Sequence, residues 1–185
     1  MKLVFAFCIA LIGTFVISCS NTGTPKPEQN TDKRKLFTDV VDYNDYLVDQ
    51  IDAIQLAHDR ALDPDKTLEE ALKECDSLIV VCKKSAENIK GIQPFEGDSS
   101  LAMQMLEYIR FMNLSGEKHL RAFLQMQEKY LNMTDQETPE GEKLSKSLDE
   151  KVAKLNAAKD SELDRVNKVQ KKFAERHQMM IMRKE

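Results

Sequence analysis

The sequence predicts an all-α protein: an antiparallel up-down four-helix bundle with long third and fourth helices, after a signal peptide and a flexible tether. The 185 residues include only six glycines, five prolines and no tryptophan. Glu, Lys, Leu, Met and Ala dominate the chain after its first 18 residues, and this composition favours helices. Four segments space their apolar residues three and four apart, as amphipathic helices do. No segment shows the alternation of a half-buried strand, so we expect no sheet.

The first 18 residues have the pattern of a secretory signal peptide. Lys2 precedes an apolar run from Leu3 to Ile17, and the small residue Ser18 ends it. A charged start, an apolar core and a small-residue exit are typical of such peptides. The run is shorter than the about 20 apolar residues that span a bilayer. Residues 1–18 are therefore predicted to be removed.

The four residues Val16-Ile17-Ser18-Cys19 resemble the lipobox of bacterial lipoproteins, whose cysteine becomes the lipid-modified first residue of the mature chain. The resemblance implies covalent acyl chains, palmitate among them, on Cys19 and a place in the cell envelope. Ser20 is the second residue of the mature chain, the position at which Asp would favour the inner membrane of double-membrane bacteria. Similarity to these sorting rules therefore implies the outer membrane. The body would face either the periplasm or the cell surface. The alternative is an ordinary secretory signal with a chance cysteine.

The mature chain begins with a segment that has almost nothing to bury. Residues 19–36 contain Pro25, Pro27 and a run of small polar side chains. Such a composition favours a flexible tether. The bundle domain is then predicted to occupy residues 37–185.

Helix one is predicted from about Thr38 to Leu62, with an apolar face and an acidic face. The apolar face consists of Val40, Leu47, Ile51, Ile54, His58 and Ala61, and the acidic face of Asp42, Asp45, Asp49, Asp52, Asp59 and Asp63. Asp is a poor helix former, and like charges four residues apart repel. The acidic face is either a solvated surface or, at Asp42, Asp45, Asp49 and Asp52, a docking face for a basic partner or weakly bound cations.

Helix two has the most regular apolar seam of the four. Its members are Leu68, Leu72, Cys75, Ile79, Cys82, Ala86 and Ile89. Thr67 and Glu70 have the spacing of a capping box at its start. Cys75 and Cys82 lie about 10 Å apart along one helix, too far for a disulfide with each other. Packing is the favoured role for both, and a metal or redox role is the alternative.

Helices three and four are separated from their predecessors by loops with clear start signals. Gly91–Gly97 forms a loop, and Asp98 or Ser99 caps helix three, which is expected to reach about Met133 with a kink at Ser115-Gly116. Thr138 and Pro139 start helix four, which is expected to reach about Met180. The inward residues of helix three are Leu101, Met105, Tyr108, Met112, Phe123, Met126 and Tyr130. Those of helix four are Leu144, Leu148, Val152, Leu155, Val166, Val169, Phe173 and Met180, with a weak stretch from Lys159 to Glu162.

Three short features resemble an uncharacterised family of helical surface lipoproteins of bacteria. They are Tyr43-Asn44-Asp45 in helix one, Pro94-Phe95-Glu96-Gly97-Asp98 before helix three, and a lysine-rich last helix. The resemblance implies a helical, membrane-anchored surface protein. It carries over no catalytic, ligand or cofactor residues.

Three histidines suggest an alternative function. His58, His119 and His177 fall on three predicted helices, so a metal ion or a haem inside the bundle is a second reading. The Glu-x-x-His pairs of di-iron bundles are absent, and no cysteine pair precedes a histidine as in covalent haem attachment. The sequence therefore predicts no resident cofactor other than the lipid on Cys19.

Nucleic-acid binding and catalysis are both disfavoured, because the sequence lacks the features typical of them. The net charge is −4, which argues against nucleic acid as a partner. No nucleophile elbow, zinc-protease helix motif or phosphate loop occurs, so an enzyme would need unrecognised carboxylate chemistry. We expect the protein to be a non-enzymatic interaction or structural module. It would bind the membrane through its lipid and would bind another envelope protein as its partner.

Overall fold

A computed structural model describes residues 32–179 and confirms the all-α fold. The helices are α1 (Val40–Ala61), α2 (Leu68–Lys90), α3 (Ser100–Leu114), a π-helix (Ser115–Leu120), α4 (Arg121–Leu131) and α5 (Pro139–Arg176). The described residues contain no strand, and their only β-type pairings are the isolated bridges Lys35–Ile92 and Phe95–Asp98. The signal peptide, Cys19, most of the tether and Met180 lie outside the described residues.

The helix starts follow the capping signals of the sequence. The Asp39 carboxylate accepts hydrogen bonds from N–H groups in the first turn of α1, and Thr67 forms with Glu70 the predicted capping box of α2. At α3, Asp98 Oδ1 accepts a hydrogen bond from the Ser100 N–H at 2.9 Å. The Thr138 hydroxyl accepts one from the Gly141 N–H at the start of α5. Each cap satisfies N–H groups that have no partner within the helix.

The elements form four rods: α1, α2, a third made of α3, the π-helix and α4, and α5. The third rod is not one continuous α-helix. Six residues, Ser115–Leu120, form a π-helical turn between α3 and α4, at the position where Ser115-Gly116 predicts a kink. A Cβ added at Gly116 would lie 3.2 Å from Leu78 Cδ2 of α2. The missing side chain therefore lets the wider turn approach α2 closely.

Polar contacts identify which rods are neighbours. α1 meets α2 through Asn88 Nδ2, which donates to Gln50 Oε1 at 2.9 Å, and it meets α5 through Gln170 Nε2, which donates to Asn44 Oδ1 at 2.8 Å. An ion pair between Arg121 and Asp76 joins α4 to α2. The core between these rods consists mainly of aliphatic and methionine side chains, among them Leu47, Ile54, Leu78, Leu101, Met105, Met112 and Leu120, all fully buried.

Burial differs from the predicted apolar faces in two of the rods. On α2 the buried positions include Ala71, Leu78 and Ser85, whereas the predicted seam residues Leu72 and Ile79 are only half-buried. The buried face is thus turned by one position over part of the helix. This occurs because α2 packs against both α1 and the third rod, and its apolar face must serve two neighbours.

The long α5 shows the larger departure from prediction. Leu148 is 9% exposed and Val166 is 3% exposed, but no residue between them is buried. Val152, expected to be buried, is 37% exposed. Over these turns Leu155 and Leu163 pack against the core while remaining half-buried, and Val152 and Leu155 line a cavity.

Candidate functional site

The body begins with a short segment tied to the loop between α2 and α3. The Lys35 N–H donates to the Gly91 carbonyl at 2.8 Å, and the Gln93 N–H donates to the Lys35 carbonyl at the same distance. Gln93 Nε2 also donates to the Arg34 carbonyl at 3.2 Å. Arg34 and Lys35, which composition alone assigns to the tether, are therefore hydrogen-bonded to the body.

Aromatic rings close the same end of the molecule. Tyr43 of α1 stacks on Phe173 of α5 with ring centroids 5.6 Å apart, and both rings approach Phe95 of the α2–α3 loop. Phe37 covers Tyr43 edge-on, also at 5.6 Å. Burial raises the pKa of Tyr43 to about 12. The four rings join three separate stretches of chain into one cluster, which we call the aromatic end.

The aromatic end was only partly visible in the sequence. The predicted α5 stripe contains Phe173, but Tyr43 and Phe95 belong only to the short motifs that resemble a lipoprotein family. Two signals could have found them. Tyr43 stands four residues before Leu47 on the apolar face, and Phe95 is a large apolar side chain in a short loop, where burial is its expected state.

Charged groups surround the aromatic end on the α5 side. Asp98 Oδ2 accepts hydrogen bonds from Arg176 and lies 3.3 Å from His177 Nε2, while His177 Nδ1 lies 3.2 Å from Glu96 Oε2. Burial by itself would raise the pKa of Asp98. Hydrogen bonds from Ser100, Arg176 and His177 outweigh burial and lower this pKa to about 2. The carboxylate therefore fixes the last turn of α5 to the start of α3.

The predicted docking face is a solvent-exposed strip on α1. Asp42, Asp45, Asp49 and Asp52 are all exposed. Within residues 32–179, no Lys or Arg nitrogen lies within 4 Å of any of their carboxylate oxygens. Leu56, one turn beyond Asp52, is 59% exposed. The strip thus combines four unpaired negative charges with an exposed aliphatic side chain.

The three histidines lie in different environments. His58 is buried near the C-terminal end of α1, with Nδ1 3.3 Å from Asp59 Oδ1. His119 is exposed in the π-helix, and His177 lies at the aromatic end. On α1 the aromatic end is marked by Tyr43, which at 1.5 Å per residue lies about 22 Å along the helix from His58. In the described part of the chain, no three His, Cys, Asp or Glu side chains are placed together to hold a metal ion. The fold does not bring these histidines to one site.

Cys75 and Cys82 are free and fully buried. Burial raises the pKa of both thiols, that of Cys82 to about 12. A thiol must lose its proton to act as a nucleophile or metal ligand, so both side chains are held in their inert form. Their geometry is that of small apolar residues in the α2 core.

The comparisons with known proteins add no relative. No protein-family model matches the sequence, and no curated protein or solved structure is significantly similar to it. Between Asp32 and Met179, no helix is both long and apolar enough to cross a bilayer.

Proposed function

We propose that this protein is a lipid-anchored component of the bacterial cell envelope that acts as a non-enzymatic interaction or structural module. The observation that carries the proposal is the Val16-Ile17-Ser18-Cys19 pattern at the end of an apolar leader. One acyl chain gives only marginal membrane binding, but several chains hold a protein firmly, since each buried CH₂ contributes about 0.8 kcal/mol. Ser20 in the second mature position favours the outer membrane.

The body is proposed to be an antiparallel up-down bundle, and long-range contacts support this arrangement. Early residues of α1 meet late residues of α5, as in the pair Asn44–Gln170. The start of α5 meets the end of α4 through Glu140 and Lys129, and the end of α5 meets the start of α3 through Arg176 and Ser100. Neighbouring rods thus run in opposite directions, which short connections also favour.

This arrangement gives the aspartate strip its proposed role. The strip lies on the solvent side of α1, and within residues 32–179 its carboxylates form no ion pair, although Lys35 lines the same surface pocket as Asp42, Asp45 and Asp49. A basic surface on a partner protein could pair with the four carboxylates while an apolar residue covers Leu56. Interfacial charges of this kind chiefly raise the association rate and select the partner. We therefore assign partner docking to Asp42, Asp45, Asp49 and Asp52.

Anchoring is tested by Cys19→Ala in the host bacterium. The wild-type chain is expected in the membrane fraction and to resist extraction by high salt, because acyl chains and not charges hold it. The variant is expected to leave that fraction. Ser18 and Ser20 stay in place, so export through the leader is preserved. A Cys19→Ala chain that remains in the membrane fraction would remove the proposal of a lipid anchor.

Docking is tested by crosslinking in intact cells, with a charge-matched control. The test variant changes Asp42, Asp45, Asp49 and Asp52 to Asn. The control changes four exposed acids of α5 to amides: Asp149, Glu150, Asp164 and Glu175. Both variants gain the same net charge, so a general electrostatic effect would act on both. Loss of a specific crosslinked species in the first variant alone supports docking, and equal crosslinking in both contradicts it.

A further inference from the structure

A cavity of about 290 Å³ lies where α1 turns into α2, away from the aromatic end. It is enclosed by the last turn of α1, the α1–α2 turn and the start of α2, α4, and the middle of α5. Its volume is at the lower limit of the about 300–1,000 Å³ typical of small-molecule sites. At ~30 Å³ per water molecule, it holds roughly ten heavy atoms.

The apolar lining comes from every element around the cavity. Its members are Leu62 directly after α1, Leu68 and Ala71 of α2, Leu120 of the π-helix, Phe123, Leu124 and Leu131 of α4, and Val152 and Leu155 of α5. Leu131 and Val152 are 60% and 37% exposed. Val152 is the exposed residue of the α5 stripe within residues 139–176, whereas Leu155 is half-buried and packs against the core, so the cavity opens at Val152.

Uncharged and charged polar side chains both line the cavity. Gln127, Asn156 and His58 are the uncharged ones, and Asp63, Lys66 and Glu128 are the charged ones. Burial lowers the pKa of His58, which favours its neutral form. No hydrogen bond to His58 Nε2 is found among residues 32–179, and Nδ1 faces Asp59. A ligand would therefore meet neutral hydrogen-bonding groups beside an aliphatic wall.

Charges near the cavity disfavour an anionic ligand. Asp63 and Glu128 belong to the lining, and the one lysine there, Lys66, is already paired with Glu74 at 3.2 Å and donates to the Arg60 carbonyl at 2.9 Å. A carboxylate or phosphate head would approach two carboxylates without a free cation.

We propose that this cavity binds a single aliphatic chain of about ten carbon atoms that carries an uncharged hydrogen-bonding head, with the chain against Val152, Leu155 and Leu124 and the head near His58 and Asn156. The preference for an acyl-like chain over an aromatic ring rests on the proposed envelope location, where such chains are abundant. The cavity itself and its neutral polar groups do not depend on the anchor.

The test uses the full-length wild-type chain and a ten-carbon alcohol that carries a photoreactive diazirine in its chain. After irradiation, mass spectrometry locates the labelled residues. Labels are expected on the cavity-facing parts of α4 and α5, and excess 1-decanol is expected to remove them. A carboxylic acid of the same chain length should label about tenfold less, the effect of about 1.4 kcal/mol of lost binding.

Val152→Trp supplies the matched variant, because it fills the mouth of the cavity from an exposed position. Ala153→Trp adds the same side chain to the next residue, which is exposed and lies outside the lining. Labelling should fall about tenfold in the first variant only. Circular dichroism checks that both variants remain helical. The competition by 1-decanol uses the wild-type chain, so it tests the proposal even if a variant fails to fold.

Several results would overturn the proposal: labels outside the cavity, labels insensitive to decanol, equal labelling in the two tryptophan variants, or preference for the acid. The photolabelling experiment can be done on the protein whether or not it is bound to a membrane. Its failure would therefore leave the Cys19 anchor untouched, and loss of the anchor in the Cys19→Ala experiment would leave the cavity result standing.

Discussion

The two stretches of α5 that contain Phe173 and Val152 have similar apolar stripes but differ in burial. Phe173 is fully buried between Tyr43 and Phe95, whereas Val152 is 37% exposed at the edge of a cavity. The helix runs through both regions without a break. The difference lies in the neighbours: the rings of Tyr43 and Phe95 fill the space beside Phe173, whereas beside Val152 a cavity remains that the Phe123 ring lines but does not fill.

This comparison shows what an apolar stripe can indicate. It fixes the face that a helix turns towards its neighbours, since that face follows from 3.6 residues per turn. It does not fix the distance to them. The aromatic end is closed by protein, and the cavity end leaves room for about ten heavy atoms.

The largest expected effect is at the aromatic end. Phe173→Ala should lower the free energy of unfolding by about 3–5 kcal/mol, since it removes a fully buried ring from a well-packed cluster. Urea denaturation followed by circular dichroism measures the change. A loss below about 1 kcal/mol would show that the ring cluster is loosely packed, and the contrast with Val152 would disappear.

Two identical substitutions on α5 sharpen the comparison. Val166→Ala should cost about 2 kcal/mol, because Val166 is 3% exposed and the change removes buried carbon atoms. Val152→Ala should cost less than about 1 kcal/mol, because that side chain faces the cavity mouth. The measurement is the difference between the two unfolding free energies in ligand-free protein. Equal costs would mean that Val152 is covered in solution.

The aromatic end should also respond to acid through Asp98. Its folded-state pKa of about 2 lies below the ordinary 3.8, so its stabilising effect is present above about pH 4 and is lost as pH falls towards 2. Because the carboxylate is partly exposed, we expect about 1 kcal/mol. Asp98→Asn should flatten stability between pH 4 and 2, as measured by thermal unfolding.

The background for the Asp98 experiment comes from Asp149→Asn, which changes an exposed aspartate of α5. If Asp98→Asn and Asp149→Asn give the same acid dependence, the Asp98 contacts with Arg176 and His177 do not stabilise the folded state.

The cavity end should respond nearer to neutral pH and more weakly. Burial lowers the pKa of His58 below its ordinary 6.5, so the unfolded chain takes up a proton before the folded one does. Stability should therefore fall as pH drops below about 6.5. His58→Gln should reduce this fall, and His119→Gln, at an exposed position, is the control. Calorimetric scans from pH 7.5 to 5 measure both.

Much of the fold could be predicted from local signals. The capping box at Thr67 and the cap at Thr138 are properties of a few neighbouring residues, and the structure contains both. At Ser115-Gly116, where the sequence predicts a kink, the structure has a π-helical turn. The backbone hydrogen bonds of Lys35 to Gly91 and Gln93 could not be predicted in the same way. They join backbone groups more than 50 residues apart, and backbone groups carry no sequence signal.

The candidate sites also differ in whether local signals predict them. The exposure of the aspartate strip follows from its position opposite the apolar face of α1, and the sequence predicted it as a candidate surface. The aromatic end required three separate segments to meet, and the cavity required a gap between helices. Neither can be deduced from one helix at a time, because both depend on the distances between rods.

The central claim is that lipid on Cys19 holds a helical body to the envelope, and the most direct test is the mass of the N-terminal peptide from the protein isolated from its native host. The account predicts a chain that begins at Cys19, whose first peptide carries the added mass of covalent acyl chains. A mature chain that begins elsewhere, or an unmodified Cys19, would contradict it.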